Sequence, residues 1–346
     1  MMGKRFVFSV VVTYGKRFHL LKQVVDACIN EGIEKIIVVD NDSENREELK
    51  NLEKVLEGKL KGIYLNENIG SASGFKIGLE EACKDEKCQF ILLLDDDNIP
   101  CSGSIQKALS IWNYCKETND ILALSFFRQA DLHHLRAVKL GLRIKLHTNP
   151  FPWFNLKEMI AKRKMLNKYP IEALKKMKTV CPIIKVEMAT YGGLFFHKTL
   201  IEKIGFPNPN FFIYYDDLDF TYRITKIGGA IFLCSELKIE DLDWPEWRTQ
   251  NFNSTHYSFR ENANELAIYY RARNRIFFEK KFIHNDFMSL LNLMSYLVYY
   301  FIVLSLSSIT KVNPKLYKRR IKLLWKAVWD GYRGKMGRAS FEGHEL

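Results

Sequence analysis

Long apolar runs alternate with segments of helical period through the first hundred residues. "FVFSVVVTY" (6–14) is β-branched, aromatic and almost continuously apolar, the pattern of a strand buried on both faces. "HLLKQVVDACINEG" (19–32) carries apolar residues at helical spacing and stops at Gly32. "KIIVVDND" (35–42) predicts a second buried strand, and "NREELKNLEKVLEG" (45–58) an exposed, charged helix. "GIYLNENIG" (62–70) predicts a third strand and turn, "SGFKIGLEEACK" (73–84) a helix, and "QFILLLDDD" (89–97) a fourth strand. Strands alternating with helices at this spacing predict an α/β fold with a doubly wound, mostly parallel sheet.

The pattern then changes. Residues 128–185 are basic and irregular, with "NPFPWF" (149–154), and read as an insertion. "VEMATYGGLFFHKTLIEKIGF" (186–206) returns to a strand, a Gly-Gly turn and a helix. "NFFIYYDDLDFTYRITKIGG" (210–229) sets an acidic cluster at the start of a helix that ends at Gly228-Gly229. The last third is helical. Residues 287–310 form one uncharged run of marginal length for a bilayer span, which fits a buried or in-plane interfacial helix equally well. Three parts follow: 1–127 as a nucleotide-binding half, 128–250 as an acceptor-binding half with the insertion, and 251–346 as a helical, membrane-associated region.

In open α/β sheets, ligands bind beyond the carboxyl ends of the strands. Four polar clusters fall there: Thr13-Tyr14, Asp40-Asn41-Asp42, Asn66–Gly74 and Asp95–Asn98. Three adjacent carboxylates at Asp95, Asp96 and Asp97 repel one another, and burial sharpens the conflict. A hard divalent cation, Mg²⁺ or Mn²⁺, would remove it. Residues i and i+2 of an extended segment face the same way, so Asp95 and Asp97 can approach one ion together. The plainer alternative is a solvated acidic turn.

The turn "NIGSASGF" (68–75) supplies small residues ahead of a helix, where backbone can approach a diphosphate; it is neither a Walker loop nor GxGxxG. Asp40 and Asn41 suit a ribose or base edge, or an Asx turn. Asp216, Asp217 and Asp219 suit a general base at an acceptor hydroxyl, or a helix cap. Arg223, four residues on, can pair with Asp219. His133-His134 lacks ligand spacing and reads as surface. Tyr214, Tyr215, Trp244 and Trp247 form either a sugar-stacking platform or ordinary core.

Composition, the first residues and charge add to this picture. Hydrophobic residues at 47% support a sizeable core. Seven scattered cysteines with no CxxC pair read as reduced thiols in a cytosolic protein. The first residues read as a strand rather than a signal peptide. The net charge of +12 concentrates between Arg128 and Lys185 and between Lys311 and Arg338, on an otherwise acidic chain. A polyanionic partner is implied. In "KLYKRRIKLLWKAVW" (315–329) aromatic and aliphatic residues interleave with cations, which suits a lipid headgroup surface better than nucleic acid.

Six stretches in order, "VVVTYGK", "IIVVDNDS", "NENIGSASGF", "LLLDDDNIP", "GGLFFHKTLIEKIGF" and "FFIYYDDLDFTYRITKIGG", resemble the motifs of family 2 glycosyltransferases, which have the GT-A fold and invert the anomeric centre. The resemblance spans about residues 6–245. It continues weakly through "YYRARN" (269–274) and "WDGYRGKMGR" (329–338), signatures similar to those of bacterial rhamnosyl- and galactofuranosyltransferases.

The resemblance implies that Thr13, Tyr14, Asp40, Asn41, Asn68, Gly70, Gly74 and Asp96 bind a nucleotide-sugar donor. It implies that Asp95 and Asp97 hold Mn²⁺ or Mg²⁺, with Asp241 as a candidate third ligand where relatives carry a His. It also implies that Asp217, with Asp216 as rival, is the catalytic base, and that Tyr215 and Trp244 form the sugar platform. UDP-galactofuranose is the donor implied by the triple aspartate, with dTDP-rhamnose as the alternative. A growing glycan on a polyprenyl diphosphate, met at the inner face of the cell membrane, is the implied acceptor. A nucleotidyltransferase and a non-catalytic membrane-associated scaffold are the rivals from other classes.

Overall fold

The computed structural model describes residues 5–117, 119–141, 169, 171–243, 263–282, 294, 295, 298 and 314–345. The chain forms two compact units. The first comprises Met1–Lys145, Ile171–Pro209 and Asp216–Pro245; the second comprises Leu146–Pro170, Asn210–Tyr215 and Glu246–Leu346.

The first unit is built on a nine-stranded sheet. Its strands are β1 (Val7–Gly15), β2 (Lys35–Ser43), β3 (Leu60–Tyr64), β4 (Phe90–Asp95), β5 (Asn98–Pro100), β6 (Leu122–Arg128), β7 (Ile183–Val186), β8 (Leu194–His197) and β9 (Ala230–Asp241). The order is β3-β2-β1-β4-β8-β6-β9-β5, with β7 also paired to β9. Strands β1, β2, β3, β4, β6 and β9 run one way, and β5, β7 and β8 run the other. The sheet is thus mixed but mostly parallel, as the alternating pattern predicts.

Its helices are α1 (Phe18–Asn30), α2 (Arg46–Val55), α3 (Gly70–Lys84), α4 (Ser104–Lys116), α5 (Leu132–Leu140), α6 (Ile171–Lys176), α7 (Thr199–Ile204) and α8 (Asp216–Lys226). Strand β1 is apolar throughout because both its faces are covered. Val7 and Val11 join the core with Leu21, Val24 and Val25 of α1 and Ala108 and Trp112 of α4. Val10 and Val12 meet α3 on the other face, at Gly78 and Gly74. An alanine Cβ at position 74 would lie 2.8 Å from Val12 Cγ1, so the small residue sets how closely helix and sheet approach.

Strand order reverses between β1 and β4: β2 and β3 lie on one side, and later strands on the other. That switch point opens a crevice at the carboxyl ends of β1 and β4. Thr13 and Asp95 end up there.

Residues 128–185 hold more regular structure than an insertion suggests. Asp131 caps α5, accepting the His133 and His134 amides at 2.7 and 3.2 Å. His133 is exposed, and His134 is half-buried. Its Nδ1 accepts the Arg128 amide at 3.1 Å, and burial pushes its pKa down to about 4.

The second unit holds helices α9 (Glu265–Phe282) and α10 (Pro314–Arg333) and a hairpin of β10 (Ser340–Phe341) and β11 (His344–Glu345). Ile268, Tyr269, Ala272 and Ile276 pack with Leu323, Leu324 and Ala327. The "YYRARN" and "WDGYRGKMGR" stretches clamp this unit together. Tyr269 donates to Asp330 at 2.6 Å. Gly331 lies so close to the Arg273 carbonyl that no Cβ fits.

Asn274 Nδ2 reaches the carbonyls of Phe211, Ile213 and Tyr214 at 2.9, 2.7 and 2.8 Å. It thereby fixes a segment in which Phe212, Tyr214 and Tyr215 all have positive φ, a conformation that costs an L-residue on the order of 1 kcal/mol each. No helix among the described residues is long and apolar enough to cross a membrane. The run 287–310 lies outside them, save residues 294, 295 and 298.

Candidate active site

The aspartate triad follows β4 because six residues of buried strand end where the sheet ends. Asp95 pairs with Val12 across β1, and the next turn carries Asp96 and Asp97. Their environments differ. Asp96 is 3% exposed. It accepts Thr13 Oγ1 at 2.8 Å and Arg17 Nε at 2.8 Å. Arg17 also donates to Asp97 at 3.0 Å and to Asp243 at 2.8 Å. Burial alone would depress the Arg17 guanidinium, but Asp96, Asp243 and Asp97 outweigh it and hold it above its ordinary value.

Asn98 holds the triad from below. Its side-chain oxygen accepts the Asp95 amide at 3.1 Å, and its Nδ2 donates to Asp97 at 2.9 Å and Asp241 at 2.6 Å. Arg128 donates to both Asp241 oxygens at 3.0 Å and to Asn98 Oδ1 at 3.2 Å. Asn98 and Arg128 are 1% and 5% exposed. Gly192 backs this network: a Cβ there would overlap Asn98 Oδ1 and the Arg128 guanidinium. Asp241, expected as a third metal ligand, has both oxygens engaged by Arg128. The Arg128 Nε alone is shared between the two oxygens, so this carboxylate already has a buried cation beside it.

All three triad carboxyls are pushed up to about 6. For Asp95 the causes are the protein around it and then the charges of Asp96, Asp217 and Asp241, against the pull of Arg128. For Asp96 the cause is burial, opposed by Arg17 and Thr13. For Asp97 it is burial, then Asp95. The Asp95 side chain is accessible to solvent although protein surrounds it. This is strain of charge, in the sense that one more cation would relieve it.

Asp95 and Asp97 offer hard oxygen donors, and an ion there would share Asp97 with Arg17 on Oδ2 and Asn98 on Oδ1. That donor set fits Mg²⁺ or Mn²⁺ completed by phosphate oxygens and water. Among the described residues, no three His, Cys, Asp or Glu side chains gather as a closed metal cage.

Asp216 and Asp217 open α8 and lie close enough for their charge to raise Asp95 or be raised by it. Asp216 is buried and accepts Ser71 Oγ at 3.0 Å. Burial, then the Asp217 charge, push it well above the usual carboxylate range. Asp217 is only half-buried, with Oδ1 on the Leu218 amide at 2.8 Å. Asp219 pairs with Arg223 at 3.3 Å, as the i,i+4 spacing anticipates. Arg223 further donates to the Phe206 carbonyl at 3.0 Å.

Tyr191 lies beneath, its ring 4.3 Å from Phe75, and among the described residues its buried hydroxyl has no hydrogen-bond partner. Burial, Asp216 and Asp217 hold that hydroxyl well above its ordinary pKa.

The other expected donor residues have partners of their own. Asp40 is fully buried. It accepts the Ser43 amide at 2.6 Å and Arg46 Nε at 3.0 Å, so the Asx-type turn is realised and an ion pair is added to it. Asn41, Asn68 and Gly70 form one network. Asn41 donates to Asn68 at 3.0 Å and accepts the Ile69 amide at 2.8 Å, and Asn68 accepts the Gly70 amide at 2.9 Å. Gly70 takes φ +83°, open only to a residue without Cβ strain.

Helix α3 starts at Gly70, three residues earlier than the periodicity suggests. Gly74 therefore lies inside the helix against Val12, and not in a turn facing a diphosphate. Tyr14 is 51% exposed with Arg17 over its ring. Tyr215 belongs to the second unit, where its ring stands 5.9 Å from Phe278. Trp244 and Trp247 lie outside the described residues.

Arg17, Arg128, Gly192 and Tyr191 are the participants that pattern reading leaves without a role. Arg17 stands in "TYGKRFH", directly after the first strand, where a cation beside a carboxylate-rich edge is a usable signal. Arg128 and Gly192 are far from the triad in sequence, and nothing local marks them.

Residues 9–139 match the model of a family described as Glycosyl transferase family 2. No curated protein sequence matches the chain. Among solved structures, the chain is similar to GalNAc-T7 crystallised with UDP, GalNAc and Mn²⁺, at 13% identity and a TM-score of 0.49, over 79% of this chain and 50% of that one. It is also similar to S. aureus TarS 1-349 in complex with UDP-GlcNAc, at 15% identity and a TM-score of 0.44, over 95% and 89% of the two chains. The chain thus spans half the length of the GalNAc-T7 chain. The family match runs from β1 through most of α5, across the triad.

Proposed function

We propose that the chain is an inverting glycosyltransferase that moves a sugar from a nucleotide diphosphate donor to a glycan acceptor. The observation that carries this reading is the gathering of Asp95, Asp97, Asp216 and Asp217 at the switch point between β1 and β4. Asp95 and Asp97 would hold a divalent cation, which when bound neutralises charge on the departing diphosphate.

The protein's own groups divide the remaining work. Asp216 is buried and its carboxylate is engaged by Ser71 Oγ, which keeps it from an acceptor hydroxyl. Asp217, more open to solvent, takes the acceptor hydroxyl proton. The hydroxyl oxygen forms a bond to the anomeric carbon from the face opposite the diphosphate. The bond from that carbon to the phosphate oxygen breaks, and its electron pair leaves with the nucleotide. Arg17 adds a fixed positive charge beside the triad.

UDP-galactofuranose is our donor, on the triple-aspartate form of the motif, and a polyprenyl-diphosphate-linked glycan is our acceptor class. The test is a panel of UDP- and dTDP-sugars with Mn²⁺, scored by thermal shift and nucleotide release. UDP release from the galactofuranosyl donor is the expected result. Release of dTDP from the rhamnosyl donor selects the rhamnosyltransferase reading. Pyrophosphate release from nucleoside triphosphates selects a nucleotidyltransferase. No turnover with any of them leaves the scaffold reading.

A further inference from the structure

The outer face of α10 is unlike an ordinary solvent-facing helix. Trp325, Trp329 and Tyr332 follow one another at spacings of four and three, so they form one stripe. They are 51%, 52% and 58% exposed. Lys318 and Lys322 extend the same stripe toward the helix N-terminus, and both are exposed. Arg333 stacks on Trp329 at 4.3 Å, and Lys280 sits over Tyr332 at 4.2 Å.

The opposite face, with Leu323, Leu324 and Ala327, packs on α9. The helix has one acidic residue, Asp330; it is buried and bonded to Tyr269 and Lys326. The outward stripe therefore carries aromatic rings and cations and no carboxylate. Packing does not explain exposed tryptophans, and solubility does not require them.

We propose that this face of α10 docks on an anionic lipid bilayer, with Trp325, Trp329 and Tyr332 at headgroup depth and Lys318, Lys322 and Arg333 against lipid phosphates. Indole and phenol rings carry an apolar body and a polar edge, which suits the headgroup boundary. Cations beside them meet the negative surface potential of an anionic leaflet. A protein partner of matching charge would need carboxylates placed opposite each lysine. A lipid surface supplies its charges laterally mobile, which suits cations spread over several helical turns. The inference deepens the proposed function, since it rests on a lipid-linked acceptor for its purpose, although the surface stands on its own geometry.

The test uses the full chain and sedimentation with phosphatidylcholine vesicles, with and without phosphatidylglycerol. Binding is expected only when the anionic lipid is present, and it should fall with added salt. The double variant K318E/K322E is expected to weaken partitioning by more than about 20-fold, at about fivefold for each cation lost near the surface. The variant W325S/W329S/Y332S is expected to abolish the blue shift of tryptophan emission on vesicle addition, and to weaken partitioning by about tenfold or more. All five side chains are exposed, so thermal melts of both variants should match the wild type.

No binding at low salt overturns the proposal, as does binding that neither variant changes. So does loss of self-association, measured by sedimentation velocity, in place of loss of vesicle binding. Nucleotide release from the donor sugar, followed in parallel, is expected unchanged in both variants. If vesicle binding fails while turnover holds, only the docking surface falls. If turnover is absent while binding holds, only the transferase reading falls.

Discussion

Gly192→Ala is the sharpest test of how the triad is held. The substitution adds one methyl group where the backbone has no unusual φ, so its effect is steric and not conformational. The new Cβ would overlap Asn98 Oδ1 and Arg128 Nη2 and lie 3.0 Å from Asn98 Cγ. Neither neighbour is the loose end of a surface side chain. Moving Asn98 breaks its bonds to the Asp95 amide, Asp97 and Asp241. Moving Arg128 separates a buried ion pair with Asp241, whose side-chain exposures are 6% and 8%.

Separating a buried pair costs about 3 to 5 kcal/mol, and overpacking alone about 1 to 3 kcal/mol. Partial relaxation should bring the observed loss to about 3 kcal/mol. The assay is urea unfolding of wild type, Gly192→Ala and Gly58→Ala. Gly58 has positive φ but nothing within 4 Å of a Cβ, so it reports the backbone penalty alone, about 1 kcal/mol. Because Asn98 anchors the Asp95 amide, nucleotide affinity in Mn²⁺ should drop as well, by about tenfold. A loss no greater than that of Gly58→Ala, with unchanged nucleotide affinity, would refute the account of the network.

The other predictions concern the carboxylates and the second unit. Asp217→Asn should lower sugar transfer by about 10²- to 10⁴-fold while leaving the nucleotide dissociation constant within about twofold, and retained turnover removes it as base. Asp97→Ala should weaken Mn²⁺ and UDP together in calorimetry, and unchanged metal affinity counts against the two-carboxylate site.

Stability should depend on pH with an unusual sign. Asp95, Asp96 and Asp97 are raised to about 6, so between about pH 4 and 6 the folded state binds more protons than the unfolded chain, and stability falls as pH rises through that window. His134, lowered to about 4, acts in the opposite sense over the same range, but it is one group against three. With Asp95 discounted for its exposure, a net loss of about 2 to 4 kcal/mol in metal-free buffer is expected from urea midpoints, and a rise instead would contradict the charge arrangement. Asn274→Ala should destabilise the second unit by about 2 to 3 kcal/mol, because the Ile213 and Tyr214 carbonyls lose this donor, the Phe211 carbonyl keeps only Arg273, and three positive-φ residues lose their restraint. Thermal unfolding of that variant indistinguishable from wild type would argue against the clamp.

Much of the fold was legible because burial on two faces leaves a plain signature. Strands β1, β2 and β4 had to be apolar at nearly every position, and the polar residues closing each run had to lie at one edge of a parallel sheet. Helix starts were less legible. Gly70 to Gly74 read as a flexible turn, yet they form the first turns of α3, because Asn68 and Asn41 supply the capping bonds that propensity does not foresee. Strands β5, β6 and β9 carried no clear pattern of their own. Their pairing is decided by distant partners, as with Ile99 against Glu240.

The sequence by itself therefore determined where carboxylates emerge, at Asp95–Asp97 and Asp216–Asp219, since strand ends and helix starts are local matters. Only the tertiary structure decided what each carboxylate is for. Asp96 is bound by Thr13 and Arg17, Asp97 by Arg17 and Asn98, Asp241 by Arg128, and Asp216 is buried against Ser71, while Asp95 is open to solvent and Asp217 half-buried. The physical reason is that a carboxylate's charge state and availability depend on partners such as those 79 to 145 positions away, and no local pattern encodes a neighbour at that separation.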